Sequence, residues 1–473
     1  MTAIPLASAS AEARSSLVTG ERLVNLYAEA NPEGARAPFS LYRTPGLRLT
    51  KSINANIGRG MIAMEDEKRL LTVHDTTLIA VDVNLNPTLI SGAISGADDL
   101  IIARNMRSPD PQIVFVGEAG IKMLEGTTLT TISDGDLPSG IVSVDFLNSF
   151  MIYAHPDGRM FSSAANDASA IDPLDFATAE SSPDGLVRAK VFRNELFAFG
   201  VSSTEPWRYD PSSAAFPFIA VPGAAIPVGL INKHAICDHA GQMVWVDHTC
   251  VVRRLKGGYG AERISNLATE RAIQQADPAS IKVFAYSDQG HQFFVVRAPT
   301  FTKVYDASTN LWHDRKSYRR NCWQAKHYAF FADKHLVSRD IAGDLLEMRS
   351  DVYDEDGEHQ VIEFTLPPVE DFPNGGITHQ LTFDIECGTG AAATAPAEDY
   401  EPELMLELSV DGGKTWKPGR KASLGPRGRR RKQVQFMRCG EFGRQGLQIR
   451  GSCSAAVSIA LTGADFRGSR RAA

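Results

Sequence analysis

Helical periodicity is almost missing from this chain of 473 residues. Only the stretch 265–275 repeats apolar residues at helical spacing, with Ser265 placed to cap the first turn and Asp277-Pro278 placed to stop the run. Cysteine is scarce as well. The six, Cys237, Cys250, Cys322, Cys387, Cys439 and Cys453, follow no tight framework of spacings, so free thiols are expected and a disulfide scaffold is not. The opening residues Met1-Thr2-Ala3-Ile4-Pro5-Leu6-Ala7-Ser8 carry neither the basic region nor the apolar run of a signal peptide, and the expectation is synthesis in a cytoplasm. One uncharged stretch, 211–232, is long enough to cross a bilayer, but Pro211, Pro217, Pro222 and Pro227 interrupt it, so no membrane insertion is expected. A cationic excess is absent too: 49 Lys and Arg stand against 56 Asp and Glu, a net charge of -7, which disfavours a globally basic nucleic-acid binder. With 43% hydrophobic residues, a disordered polymer is equally disfavoured.

What the chain has instead is short β-branched and aromatic runs separated by Gly, Asp, Asn and Pro turns, from about residue 58 to about 348. They group in pairs: Leu70–Val73 with Leu78–Asp82, Ile113–Val116 with Ile121–Leu124, Phe150–Tyr153 with Arg159–Ser162, and Glu195–Phe199 with Pro206–Asp210. Met243–Val246 with Cys250–Arg253, His291–Val296 with Lys303–Asp306, and Lys334–Val337 with Asp344–Glu347 complete seven groups at a spacing of roughly forty to fifty residues, the period of propeller blades. A four-stranded blade buries its faces only against its neighbours, so a closed ring satisfies every blade. The predicted fold is all-β, a β-propeller of six or seven blades, with seven favoured; a large β-sandwich is the alternative. Trp312 is expected to pack between blades. After Met348 the texture changes, through an acidic turn at 351–358, Pro367-Pro368 and a Gly/Ala/Thr loop at 388–397, with new strands between them. The division is an extended N-terminal arm (1–57), a propeller (58–350) and a C-terminal β-sandwich-like domain with a basic segment (351–473).

Candidate chemistry is sparse. His234, Cys237, His239, His248 and Cys250 are soft ligands in one neighbourhood, but their spacing fits no closed zinc pattern. Asp354, Asp356, Gly357 and Glu363 fall at four positions of a calcium loop whose first position is Val352, so an acidic hairpin is the plainer reading. Gly257-Gly258-Tyr259-Gly260 lacks the Lys-Ser/Thr of a phosphate loop, and neither a Gly-x-Ser-x-Gly elbow nor a His-Glu-x-x-His helix occurs. Asp98-Asp99 could act in acid–base chemistry only across a pocket; a solvated turn is the default. No catalytic, cofactor-binding or metal-binding residue is assigned, no cofactor is expected, and the chain is not read as an enzyme.

Charge is the strongest signal. Residues 414–450 hold twelve Lys and Arg against Glu441, a net of +11, which leaves -18 for the rest. The run Arg427, Arg429, Arg430, Arg431 and Lys432 is expected to be an interface that meets an adaptor protein, a neighbouring subunit or DNA. Without interleaved aromatics to stack on bases, a protein partner is favoured. Just before it, Ser409-Val410-Asp411-Gly412-Gly413-Lys414-Thr415-Trp416 resembles the Asp-box of sialidases and related propellers, a structural turn in which Ser409, Asp411 and Gly413 close the hairpin and Trp416 packs behind it. Its single copy supports a glycan-binding or glycan-processing propeller only as the alternative function.

Two segments near the start, Arg22-Leu23-Val24-Asn25-Leu26-Tyr27-Ala28-Glu29 and Tyr42-Arg43-Thr44-Pro45-Gly46-Leu47, resemble the packaged-DNA stabilisation proteins of short-tailed bacteriophages, also called tail accessory factors or nozzle proteins. Ile264-Ser265-Asn266 with Glu270 and Ile273, the segment 345–357, the hairpin 409–416, and 430–440 with Phe442-Gly443-Arg444 are similar to the same group. The resemblance implies a structural virion protein of the viral tail, assembled in the host bacterial cytoplasm. It would form a homohexameric nozzle or hub ring below the portal and its adaptor, prolong the channel for double-stranded viral DNA, and retain the packaged genome until ejection. Its implied partners are its own copies, the portal-adaptor protein, a tail needle or plug, and tailspike or fibre proteins.

Overall fold

Two-residue turns set the local architecture. Asn148-Ser149, Arg193-Asn194 and Ala332-Asp333 all take positive φ, the left-handed pair that matches the twist of a tight hairpin, and each joins the first two strands of one sheet. In the computed structural model, which describes residues 2–15, 18–179, 182–213, 215–370 and 373–470, such hairpins build seven four-stranded antiparallel blades. Blades one to six come from 58–90, 101–131, 143–178, 186–220, 236–263 and 282–314. Blade seven takes Ala325–Phe331, Lys334–Arg339 and Gly343–Arg349, and its fourth strand is Gly46–Asn54 from the other end of the chain. The seven apolar pairs of the sequence fall one to a blade, and the fold is an all-β propeller.

The second strand of a blade reads as continuously apolar because its two faces serve different neighbours. Ile113 and Phe115 pack into the core shared with blade one, whereas Val114 and Val116 pack with blade three. Met151 and Tyr153 face blade two, Ile152 and Ala154 blade four. Trp312 is buried with residues of blades five and six and donates from Nε1 to the Ile264 carbonyl at 2.8 Å. The one long helix spans Leu267–Gln274 and is capped by Asn266, whose side chain accepts from the Thr269 amide, not by Ser265. Ser265 instead accepts from the Val252 amide and donates to Glu270, tying the helix to blade five.

The C-terminal domain is a sandwich of two sheets around Leu23, Leu26, Leu41, Phe364, Phe383, Leu406, Ile449 and Leu461. Its N-terminal strands come from the segment read as an extended arm. Thr2–Ile4, Leu26–Ala30 and Phe39–Arg43 join Gly376–Ile385, Val434–Phe442 and Ala460–Arg470 in one sheet. Arg22–Val24 joins Ile362–Thr365, Glu403–Ser409, Lys417–Ser423 and Gln448–Cys453 in the other. The described residues of 2–57 are therefore woven into both units, because each unit leaves a sheet edge that this segment covers.

The knots in this segment explain its residues. Asn25, at φ +54°, donates through Nδ2 to the Lys316 and Val361 carbonyls, turning the chain from one sheet to the other against blade six. Arg43, buried, donates to the Ala455 and Val457 carbonyls at 2.6 and 2.8 Å and to Gln360. The Pro45 carbonyl accepts from fully buried Arg315, whose guanidinium lies 3.6 Å from the centre of the Trp323 ring. Gly46 passes so close to the Val352 carbonyl that a Cβ would stand 2.6 Å from its oxygen.

A titratable latch joins strand Leu26–Ala30 to blade six. His291 Nδ1 lies 2.6 Å from Asp306, Nε2 lies 3.5 Å from Glu29, and Tyr27 meets the ring edge-on at 5.1 Å. The hydrogen bond with Asp306 raises the His291 pKa; burial works against ionisation of Asp306, but His291 and the Ser308 amide hold it below the usual carboxylate range. A raised histidine pKa means that the pairing stabilises fully below the unfolded value and fades as pH rises through the folded one. His291→Gln is expected to flatten the fall in melting temperature as pH rises above the ordinary histidine value of about 6.5; a slope identical to the parent's contradicts the latch.

Candidate functional site

The basic run sits where both sandwich sheets end. Lys417–Ser423 is the edge strand of one sheet and Val434–Phe442 the edge strand of the other, and 424–433 crosses between them. Arg427, Arg429, Arg430, Arg431 and Lys432 are all exposed. Lys432 approaches Glu401 at 3.9 Å; among the described residues, the four arginines have no ion-pair partner. The crossing is backed by the Gly/Ala/Thr loop: the Gly388 amide donates to the Leu424 carbonyl and the Gly428 amide to the Gly388 carbonyl. Gly388, at φ +76°, abuts the Arg429 backbone so closely that a Cβ would stand 2.9 Å from it. Lys414, Lys417, Arg420, Lys421, Arg438 and Arg444 extend the exposed cationic rim along both edges. Such charges discourage stray strand addition at an open edge and leave planar guanidinium groups for carboxylates or phosphates.

The turn before the rim is closed by the Asp411 carboxylate. Asp411 Oδ1 accepts from the Ser409 hydroxyl and from the Lys414 and Thr415 amides, and Oδ2 accepts from the Thr415 hydroxyl. These bonds, the Thr415 hydroxyl first, hold Asp411 well below the usual carboxylate range. Ser409 Oγ accepts from the Gly413 amide, and the Arg450 guanidinium lies 4.2 Å from the Trp416 ring centre. Gly413 and Trp416 also line a cavity of about 600 Å³ between the sandwich and blade six, where Asp314 is shared by Arg22 at 2.9 Å and Lys303 at 2.7 Å.

The remaining candidates fall apart or change character. His239 bonds Ser287, the Cys237 thiol is pushed up by burial, and among the described residues no group of three or more His, Cys, Asp or Glu is placed to hold a metal. Asp354 pairs with Arg48 and Asp356 with Arg339, while Glu363 lies in a sandwich strand, so the acidic hairpin is pinned to blade seven. Asp98 and Asp99 are not in a solvated turn. They stand just before the inner strand of blade two and reach Lys233, Lys282 and Lys326 of blades five to seven across the propeller axis, in a cavity of about 630 Å³. Only the doublet itself marked this place in the sequence, since its lysine partners lie more than a hundred residues away.

The sequence profile of the family described as bacteriophage P22 Gp10, beta-propeller, matches residues 2–353. The chain belongs to this phage-stabilisation family. Membership gives it a structural role in a bacteriophage, and the match takes in both N-terminal knots, Arg22–Glu29 and Tyr42–Leu47, and all seven blades. The cationic rim lies beyond the matched residues. No curated protein matches the chain. Among solved structures, it is similar to the computationally designed Ika8 protein (12% identity, 64% of this chain and 99% of that one, TM-score 0.39). It is similar also to the WD40 beta-propeller domain of Doa1 (12%, 64% and 96%, TM-score 0.38) and to YCF48 bound to D1 peptide (12%, 65% and 97%, TM-score 0.41).

Gly413 has φ +82° and a Cβ there would stand 2.5 Å from Gln448 Oε1. Gly413→Ala is expected to destabilise the sandwich by about 1–2 kcal/mol, read as a lower denaturation midpoint. A midpoint equal to the parent's contradicts this account of the turn.

Proposed function

We propose that this family member is a subunit of the tail nozzle or hub, arranged as a six-fold ring below the portal-adaptor, where it prolongs the DNA channel and helps retain the packaged genome. The observation that carries the reading is the family match over 2–353; the separation of charge, +11 in 414–450 against -18 elsewhere, supports it. Arg427, Arg429, Arg430, Arg431 and Lys432 serve as the contact to the adaptor or to the acidic body of the next copy. Head-to-tail contacts of one basic patch on one acidic surface are heterologous, and they close into a ring when the rotation fits. An acidic body elsewhere lets double-stranded DNA slide past without sticking. Needle or plug and tailspike or fibre proteins attach below and beside such a ring. The mechanism is geometric and electrostatic, with no bond made or broken.

Heads assembled without the protein are expected to package DNA and then lose it, and purified protein added back is expected to seal them. Arg429→Glu, Arg430→Glu and Arg431→Glu together reverse exposed charges, so the triple variant should melt within about 0.5 kcal/mol of the parent yet fail to attach to adaptor-bearing heads. Full, infectious particles lacking the protein overturn the nozzle reading; undiminished attachment of the triple variant overturns the role given to the rim.

A further inference from the structure

At the mouth of the propeller axis three carboxylates are each shared by two cations. Asp98 meets Arg59 at 3.2 Å and Lys233 at 3.7 Å. Asp99 meets Lys326 at 2.8 Å and touches Lys282 through its other oxygen. Asp340 meets Arg320 at 2.6 Å and touches Arg297. The three carboxylates are nearly buried, at 9–12% exposure, and all the cations except Arg320 and Lys233 are below 20%. Positive charge therefore exceeds negative charge inside a cavity of about 630 Å³, and the one further carboxylate on its lining, Glu118, is exposed at the rim.

Buried charge without a counter-charge is costly. The arginines cannot shed protons, so the strain falls on the lysines: burial first, then the neighbouring cations, lowers Lys282 to about 6 and Lys326 to about 8. On the lining itself five cations, Lys233, Lys282, Arg297, Arg320 and Lys326, face four carboxylates, Asp98, Asp99, Asp340 and the exposed Glu118, a surplus of one positive charge when Lys282 is protonated. No side chain of the cavity supplies the missing negative charge, and the space left open is far larger than a tetrahedral oxyanion.

We propose that this axial cavity is a binding site for a small divalent oxyanion of the phosphate class, held by Lys282, Lys326, Arg297 and Arg320. The anion bridges blades six and seven on the face where their inner strands begin, opposite the Asp98-Asp99 turn of blade two. It thereby fastens blade seven, the blade that Gly46–Asn54 closes, to its neighbour.

The test is titration calorimetry and thermal melting of the full chain with inorganic phosphate and with sulfate, against chloride at equal ionic strength. Saturable binding and a rise in melting temperature are expected for the two dianions and not for chloride. Lys282→Met and Lys326→Met each leave Asp99 to a single lysine, so both are expected to melt at least as high as the parent without anion while binding phosphate about tenfold or more weakly. Asp99→Asn is expected to tighten phosphate binding. Equal shifts from chloride and phosphate, phosphate binding that survives both lysine variants, or weaker binding by Asp99→Asn overturns the assignment.

Discussion

The molecule depends on one act of strand pairing: Gly46–Asn54 lies antiparallel to Gly343–Arg349, Leu47 opposite Met348, and closes blade seven. Without it the last blade presents an open edge, and an unclosed ring of blades leaves apolar faces at both ends. The same segment, a few residues earlier, supplies four strands to the sandwich, so closing the propeller and completing the sandwich are one event in the chain. Arg43, Pro45 and Gly46 lie at the crossing between the two tasks, where a buried guanidinium, a carbonyl acceptor for Arg315 and a missing Cβ are each required within four residues. A parallel bridge between Val24 and Asp314 makes one sandwich sheet continuous with blade six, so the two units share hydrogen bonds as well as a boundary.

Charge follows from the same architecture. At the axis, loops that precede inner strands converge, and the residues on them form paired ions that span the opening. At the far end, the sandwich sheets finish in edge strands, one of them exposing mostly basic and small side chains; Lys421 pairs with Glu403 and Lys432 approaches Glu401, whereas among the described residues Arg427, Arg429, Arg430 and Arg431 have no ion-pair partner. Internal pairs take up most of the charges at the axis and at the acidic hairpin, whereas the four arginines of the rim have no such pair among the described residues.

Much of the fold was legible because its rules are local. Short apolar runs such as Ile113–Val116, turn residues such as Arg193-Asn194, and the forty-to-fifty-residue spacing each concern neighbours in sequence, and together they define blades. The closure was not legible, since Gly46–Asn54 is half polar and its partner lies some three hundred residues away. Leu26–Ala30 and Phe39–Arg43 looked like an arm for the same reason: Asn25, Pro45 and Gly46 mark turns without saying what the strands between them pair with. At the helix, Ser265 and Asn266 are both capping residues, and tertiary demand from Val252 and Glu270 drew Ser265 away. The rim was visible as composition; the axial cluster, gathered from five blades, was reduced to the doublet Asp98-Asp99.

The central claim is that the N-terminal segment is an integral part of both units, and native-state hydrogen exchange measures this most directly. Amides of Leu26–Ala30, Phe39–Arg43 and Gly46–Asn54 should exchange together with the second strands of the blades and with Gly376–Ile385, as one cooperative unit near the global stability. Rapid exchange of those three strands, at the rate of exposed loops and well ahead of the blades, would contradict the account.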